Sequence, residues 1–185
     1  RQARRREKRR LIVQSAGHIL EVNGLAVDFA ARRGRVNAVT RVDLAIPAGT
    51  TVALVGESGC GKSVTAMALA DLLGPTSETR YESFTFRGQP VRDGTALDRA
   101  SLRGHGLAYV FQDPMATFNP VFTIGTQVGE TIAGDGTRAG RRNAVHESLR
   151  AAGLKDPVRV ARSYPHELSG GMLQRAAIAM ALTCR

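Results

Sequence analysis

The sequence predicts an α/β fold that contains a phosphate-binding core, an antiparallel β subdomain and a helical subdomain. Three observations carry this prediction. An apolar run at residues 52–55 leads into a glycine-rich loop and then into a helical pattern. Residues 19–27 and 42–46 alternate apolar and polar side chains, as half-buried antiparallel strands do. After residue 113 the apolar spacing becomes helical.

The glycine-rich loop at residues 56–63 reads Gly-Glu-Ser-Gly-Cys-Gly-Lys-Ser. Its glycines let the backbone turn tightly with the N–H groups facing inward, where a polyphosphate can lie. The helix that begins near Lys62 adds its positive dipole end, Lys62 can reach the outer phosphates, and the Ser63 hydroxyl can ligate Mg²⁺. The alternative is a turn that happens to contain Lys-Ser, but the strand and the helix lie where a P-loop requires them. The predicted cofactor-binding residues are Gly56, Glu57, Ser58, Gly59, Cys60, Gly61, Lys62, Ser63 and Val64, with Lys62 also catalytic and Ser63 also a metal ligand.

The remaining elements extend this P-loop NTPase core, a parallel sheet with flanking helices. Residues 62–73 form an apolar pattern typical of a helix inside an α/β core, and Gly74 and Pro75 are expected to end it. Residues 107–111 are a short apolar run that predicts a central parallel strand. Between residues 113 and 164, one helical face carries Val145 and Leu149.

Two further motifs identify the family. Residues 110–114 read Val-Phe-Gln-Asp-Pro, and residues 168–174 read Leu-Ser-Gly-Gly-Met-Leu-Gln. Leu-Ser-Gly-Gly alone is a weak signal, because Ser-Gly-Gly before a helix is an ordinary N-cap. In this order, however, the three motifs resemble the ATP-binding subunit of ABC transporters. Residues 111–115, 118–125 and 164–172 are similar to the dipeptide/oligopeptide importer ATPases, a group that includes nickel and glutathione importers.

The resemblance implies ATP-driven transport by two such domains facing head to tail. ATP held by the P-loop of one subunit is capped by the other through Ser169, Gly170, Gly171 and Met172. Gln112 is implied as a catalytic residue and a ligand of Mg²⁺, with a polar strand-end residue as the alternative. Phe29 lies where the family places an aromatic ring that stacks on adenine, although its alternation with Val27 fits a core position equally well.

The implied partners are membrane permease subunits, a second ATP-binding subunit and, indirectly, an extracytoplasmic solute-binding protein. The implied location is peripheral, on the cytoplasmic face of the plasma membrane. The transported solute cannot be named from these residues.

The resemblance runs from residue 19 to residue 185 and then breaks off. Family members continue into a strand that ends in Asp-Glu, the Walker B motif, and into later motifs. The sequence therefore predicts a chain truncated before Walker B, with the C-terminal part of the core missing. Predicted domains are a basic disordered tail at 1–18 and a partial ATP-binding domain at 19–185, with a helical subdomain at about 113–168.

Composition limits the other function classes. The chain has 185 residues, 43% of them hydrophobic, and no apolar run near the ~20 residues that span a bilayer. Its net charge is +10, but residues 1–10 alone carry +6. The positive charge is therefore concentrated in a basic tail, and this distribution argues against a nucleic-acid-binding function. Cys60 and Cys184 have no metal or redox spacing, which favours a reducing compartment. Two alternatives stay open, namely a non-hydrolytic nucleotide-binding fragment and a soluble ABC-type ATPase acting on nucleic acid.

Overall fold

The computed structural model describes residues 17–32, 34–93, 95, 97–104, 106–132 and 137–183. The chain divides into two compact units, Arg1–Ser101 and Leu102–Arg185. Of the predicted basic tail, only Gly17 and His18 are described, and His18 already begins a strand. Cys184 lies outside the described residues. The predicted boundaries of the tail and of the helical subdomain stay predictions.

The first unit is organised around a long antiparallel hairpin. Strands β1 (His18–Ala31) and β2 (Gly34–Pro47) pair along their length. On its other side β1 pairs with β3 (Ser77–Arg80) and β4 (Ser83–Phe86), and β4 pairs with β5 (Gln89–Pro90). Alternate residues of β1 turn inward, which confirms the predicted half-buried antiparallel strands. The buried apolar side chains of this sheet include Leu20, Val22, Leu25, Val27, Phe84 and Phe86.

Strand β1 also buries a carboxylate. Asp28 is only 3% exposed, and its two oxygens accept hydrogen bonds from Asn37 on β2 and Arg80 on β3. A buried charge needs such partners, because an unpaired one is costly to remove from water. Asp28 therefore ties together three strands of the sheet.

Helix α1 (Lys62–Leu69) is four residues shorter than the predicted 62–73. It ends in a Schellman closure, in which Leu72 N donates to Met67 O at 2.9 Å and Asp71 N donates to Ala68 O at 3.2 Å. Asp71 occupies the left-handed position with φ 52°, which aspartate tolerates better than most side chains. The expected stop at Gly74 and Pro75 was therefore wrong, because the closure forms before them.

Two predicted strands of the parallel sheet are also absent from the described residues. Residues 52–55 form no strand, and Val55 is 89% exposed. Residues 107–111 form none beyond an isolated bridge between Arg103 and Leu107. An apolar run becomes a parallel strand only when neighbouring strands complete its hydrogen bonds. Neither run has such a neighbour in the described part of the chain.

The second unit is helical. After the short α2 (Arg99–Leu102), which spans the boundary, come α3 (Ile124–Glu130), α4 (Arg138–Ala151), α5 (Pro157–Arg162), a 3-10 turn (Pro165–Glu167) and α6 (Gly170–Thr183). Side chains of Thr123, Thr137 and Asp156 cap α3, α4 and α5. The predicted apolar face of α4 is confirmed, since Val145 and Leu149 are buried. They belong to a core made of Phe118, Ile124, Val128, Val145, Leu149, Leu154, Val160, Leu168, Leu173, Ala176, Ala177 and Ala179.

Candidate functional site

The glycine-rich loop ends in an open helix start. Gly59 and Gly61 have φ of 81° and 90°, in the left-handed region that glycine adopts most readily. The bond from Thr65 N to Gly61 O, at 2.8 Å, is the first of α1. The N–H groups of Lys62, Ser63 and Val64 precede that bond and have no partner inside the helix. The loop thus presents backbone donors and a positive helix end, as the sequence predicted for a phosphate site.

Gly61 is required by a close approach as well as by its φ. A Cβ atom there would lie 2.8 Å from the carbonyl oxygen of Ala38 and 3.1 Å from Cγ2 of Val39, both on β2. The end of the loop therefore rests directly on the hairpin, which fixes where α1 begins. No other residue type fits this position without shifting backbone.

The Lys62 ammonium folds back over its own loop. Its Nζ donates to Gly56 O at 2.8 Å and to Glu57 O at 2.5 Å, and it lies 3.3 Å from Cys60 Sγ. These contacts hold the only positive side chain of the loop against the loop's own backbone. An ammonium group and free backbone N–H groups both favour an anionic ligand.

The other P-loop side chains differ in exposure. Glu57, Ser58, Cys60 and Ser63 are exposed, and Val64 is half-buried. Cys60 is a free thiol. Its sulfur lies only 2.7 Å from where a Cβ of Gly56 would stand, so this glycine makes room for the thiol.

The helix start at the second motif is built differently. Ser169 caps α6, because its carbonyl accepts from Met172 N and Leu173 N, both at 2.9 Å. Its hydroxyl lies 3.4 Å from Met172 N. A Cβ at Gly170 or Gly171 would meet nothing within 4 Å. Behind this open start, Met172 packs against the helical core.

Gln112 does not end a buried strand, as had been predicted. It is exposed and follows an irregular segment in which Val110 and Phe111 are 37% and 43% exposed. The reason is the unformed strand at residues 107–111. Phe29 is half-buried on β1, opposite Val36 on β2 and Ser77 on β3. This position is compatible with both predicted roles, stacking on adenine and packing in the core.

Two structurally important side chains were missed from the sequence. Gln127 is buried and makes three hydrogen bonds to the loop before α3, at 2.8–3.0 Å with Asn119 N, Asn119 O and Phe122 O. Arg99 binds Asp93 at 2.9 Å and donates to Ala68 O in the last turn of α1 at 3.2 Å. The only sequence signal for Gln127 is that a polar residue lies on an apolar helical face. No local sequence signal indicates the role of Arg99.

The described residues contain neither a metal-binding cluster nor a membrane-spanning helix. No group of three or more His, Cys, Asp or Glu side chains in them could hold a metal ion. No helix in the same part of the chain is both long enough and apolar enough to cross a membrane.

Comparison with known proteins defines the class. Residues 39–185 match the model of the family described as ABC transporter. The chain therefore belongs to the ABC transporter family, as its three motifs predicted. By family it is of the ABC transporter ATPase type, and the predicted α/β class of these ATPases is confirmed.

The similar proteins narrow the family to peptide transport. The dipeptide transport ATP-binding protein DppD of Escherichia coli is 38% identical over 169 residues, which cover 90% of this chain and 52% of that protein. A Brucella ovis protein, whose name proposes it as a peptide import ATP-binding protein, is 45% identical over 179 residues with the same coverage. The predicted likeness to peptide importer subunits is confirmed. The chain spans about half the length of these relatives.

A solved structure shares the fold. The dimeric structure of MJ0796, a bacterial ABC transporter cassette, superposes with a TM-score of 0.73 at 27% identity. The match covers 89% of this chain and 69% of that one. Another structure of MJ0796 is a post-hydrolysis state bound to ADP and Pi.

Proposed function

We propose that this chain binds Mg-ATP through residues 56–64, and that the whole protein hydrolyses ATP to drive import of peptides or related small solutes through an ABC transporter. Family membership and the peptide-importer relatives support this proposal. The observation that carries it is the helix start at Lys62. There, left-handed glycines, first-turn N–H groups without a partner inside the helix and an ammonium all lie within residues 59–64.

In this proposal Lys62 exchanges its loop carbonyls for phosphate oxygens. The carbonyls of Gly56 and Glu57 are neutral acceptors, and a phosphate carries full negative charge, so the exchange is favourable. The Ser63 hydroxyl is exposed beside it and fits the single protein oxygen that Mg²⁺ needs when phosphates and waters complete its shell. Gln112 is proposed as a further Mg²⁺ ligand or as the group that orients the attacking water. Phosphoryl transfer then depends on positioning and on charge neutralisation.

The proposed second subunit binds across the start of α6. Ser169, Gly170, Gly171 and Met172 would cap the ATP held by a partner's P-loop, with backbone N–H groups and the helix dipole directed at the γ-phosphate. The open space around the two glycines supports this role, because no neighbour among the described residues requires them. The dimeric state of MJ0796 supports the arrangement.

The proposed membrane partners bind beyond Gln112. Met115, Val121 and Phe122 are 50%, 67% and 48% exposed, an unusual concentration of large apolar side chains on one loop segment. Permease subunits are the proposed occupants, and a peripheral position at the cytoplasmic face of the membrane follows from them. A solute-binding protein would act through those subunits.

A second candidate function is nucleotide binding without sustained turnover. Residues 52–55 and Gln112 are exposed and belong to no sheet, which favours this function. Without a sheet to hold them, the distance between the P-loop and Gln112 is not fixed as phosphoryl transfer requires. Steady phosphate release by the purified chain would exclude it, and ATP binding without release would favour it.

The deciding experiment is ATP binding by calorimetry. Lys62→Ala should weaken binding by roughly one to two orders of magnitude, because a hydrogen bond to a charged group contributes about 1.5–3 kcal/mol. Lys155→Ala is the matched control, since Lys155 is an exposed lysine of the helical unit. Equal affinity in the parent and Lys62→Ala would refute the assignment.

A further inference from the structure

A basic groove opens between α3, α4 and α5, within the helical unit. It encloses about 1240 Å³ and is lined by Arg138, Arg141 and Arg142 of α4, by Arg162 of α5, and by His146. Thr126 of α3 adds a hydroxyl to the wall. No part of the predicted nucleotide site contributes to it.

The packing of the three helices creates the groove. A Cβ at Gly125 would lie 2.6 Å from the carbonyl oxygen of Ala161, so α3 and α5 touch backbone to backbone there. At Gly129, a Cβ would stand 3.7 Å from Cδ of Arg141, whose aliphatic stem lies along α3. The stem is thereby packed while the guanidinium reaches the groove.

The charge of the groove is uncompensated in the part of the chain that the structure describes. Its lining includes no Asp or Glu, and none of its four guanidinium groups makes an ion pair or side-chain hydrogen bond there. Arginines of the other unit behave differently. Arg80 pairs with Asp28, Arg41 with Glu82 and Arg99 with Asp93.

The position of these charges is unfavourable for the free helix. Arg138, Arg141 and Arg142 are spaced i, i+3 and i+4 on one face, where like charges repel. They also occupy the first turns of α4, where the helix dipole favours acids, and its first turn holds no acid. Such a cluster is unfavourable for the isolated helix, as is expected of charges that serve binding and not stability.

We propose that this groove binds a multiply charged phosphoanion, a chain of two or more phosphate groups or a phosphate-bearing headgroup. Planar guanidinium groups bind phosphate oxygens in bidentate pairs, and the Thr126 hydroxyl can donate to a third oxygen. Four guanidinium charges exceed what one phosphate dianion neutralises, which favours several phosphates. The groove is also larger than a single phosphate requires.

The test uses inorganic tripolyphosphate as the probe for a free ligand. Binding is measured by calorimetry in a Lys62→Ala background, which removes the proposed P-loop site. The double variant R141Q/R142Q should weaken binding about tenfold or more. The control R150Q/R159Q removes two exposed charges from the same helices outside the groove, and it should change affinity by less than about twofold.

A second arm distinguishes the source of the phosphate. Cosedimentation is measured with phosphatidylcholine vesicles, with and without phosphatidic acid. Tripolyphosphate binding that depends on Arg141 and Arg142 supports a free phosphoanion, and vesicle binding with that dependence supports a headgroup. If neither probe binds, or if R141Q/R142Q binds like R150Q/R159Q, the proposal is wrong, whatever the result for ATP at Lys62.

Thermal unfolding provides a readout that a merely structural role would not give. R141Q/R142Q should unfold at an equal or higher temperature than the parent, because repulsion within α4 is relieved. Tripolyphosphate should raise the unfolding temperature of the Lys62→Ala parent and leave that of R141Q/R142Q in the same background unchanged. An unfolding temperature that falls in R141Q/R142Q would show that these arginines support the fold, and would overturn the argument.

Discussion

The two glycine-bearing helix starts of this chain differ in what their glycines touch. Gly61 has a left-handed φ of 90° and rests against the backbone of Ala38. Gly170 and Gly171 have ordinary φ values and open space around them. The first glycine is therefore explained by the fold of its own unit. No described neighbour requires the other two to be glycine, which agrees with their proposed role as a cap for a partner's nucleotide.

The supports behind the two starts also differ. Helix α6 is held in a core in which Leu173 and Ala176 are fully buried. Before α1, by contrast, residues 52–55 belong to no strand, and the loop is held by Gly61 on β2 and by the contacts of Lys62. The start of α6 is followed at once by core residues, whereas at the start of α1 the contacts are those of Gly61 with β2 and of Lys62 with its own loop.

The largest expected effect tests the packed start. Leu173→Ala should lower the free energy of unfolding by about 2–5 kcal/mol, because it leaves a cavity in the helical core. Leu182→Ala is the control on the same helix, where Leu182 is 47% exposed. Urea denaturation measures both. A similar small loss in the two variants would mean that the core does not anchor α6.

The accessible start can be tested through its thiol. In a Cys184→Ser background, saturating ATP at about a hundred times its Kd should slow alkylation of Cys60 roughly a hundredfold, because only the free protein is reactive. Cys60 is exposed and lies 3.3 Å from the Lys62 ammonium. Mass spectrometry of the labelled peptide gives the rate. Undiminished, roughly hundredfold protection in Lys62→Ala at the same ATP concentration would contradict the proposed site.

Gly61→Ala tests whether backbone contact fixes the P-loop. We expect a loss of about 1–3 kcal/mol in unfolding free energy, from strain at a positive φ and from the collision with Ala38. Gly59→Ala shares the positive φ but has open space, so it isolates the strain alone. Thermal unfolding and ATP binding are compared in the two variants. Equal losses would show that the close approach to β2 contributes nothing.

The smallest effect on the free energy of unfolding is expected at the start of α6, where the substitution should stabilise the protein. Gly171→Ala should stabilise α6 by about 0.5–1 kcal/mol, because alanine loses less backbone entropy than glycine. The same change should abolish ATP-dependent dimer formation, measured by light scattering. Ile178→Ala, at an exposed position further along α6, is the control. Dimer formation that survives Gly171→Ala would remove the reason for the open glycines.

The sequence predicted those features that depend on short-range pattern. Period-two alternation located β1 and β2, helical spacing located α4, and motif order identified the family. The sequence-based prediction failed where secondary structure depends on residues that are distant in the chain. Residues 52–55 are apolar enough for a central strand, but a strand needs hydrogen-bonded neighbours, and no local pattern reports whether they are present.

The misplaced end of α1 has a different origin. Gly74 and Pro75 are strong helix terminators, so the sequence placed the helix end next to them and gave no sign of the Schellman closure at Asp71. That closure is completed by Arg99, which donates to the Ala68 carbonyl and lies 3.5 Å from the Asp71 carboxylate. A contact across nearly thirty residues cannot be found by inspecting a helix end. The roles of Phe29 and Gln112 stay predictions for a similar reason, since they depend on a bound nucleotide.

The amide of Gln127 has a consequence for recognition kinetics and entropy. It binds the backbone at Asn119 and Phe122 through three hydrogen bonds, which restrain the loop that displays Val121 and Phe122. Ordering a flexible side chain at an interface typically costs about 0.5–1.5 kcal/mol, and a pre-ordered loop avoids much of that loss. If the proposed partner binds there, it meets apolar side chains on a restrained backbone, and less of the loop has to be ordered on binding.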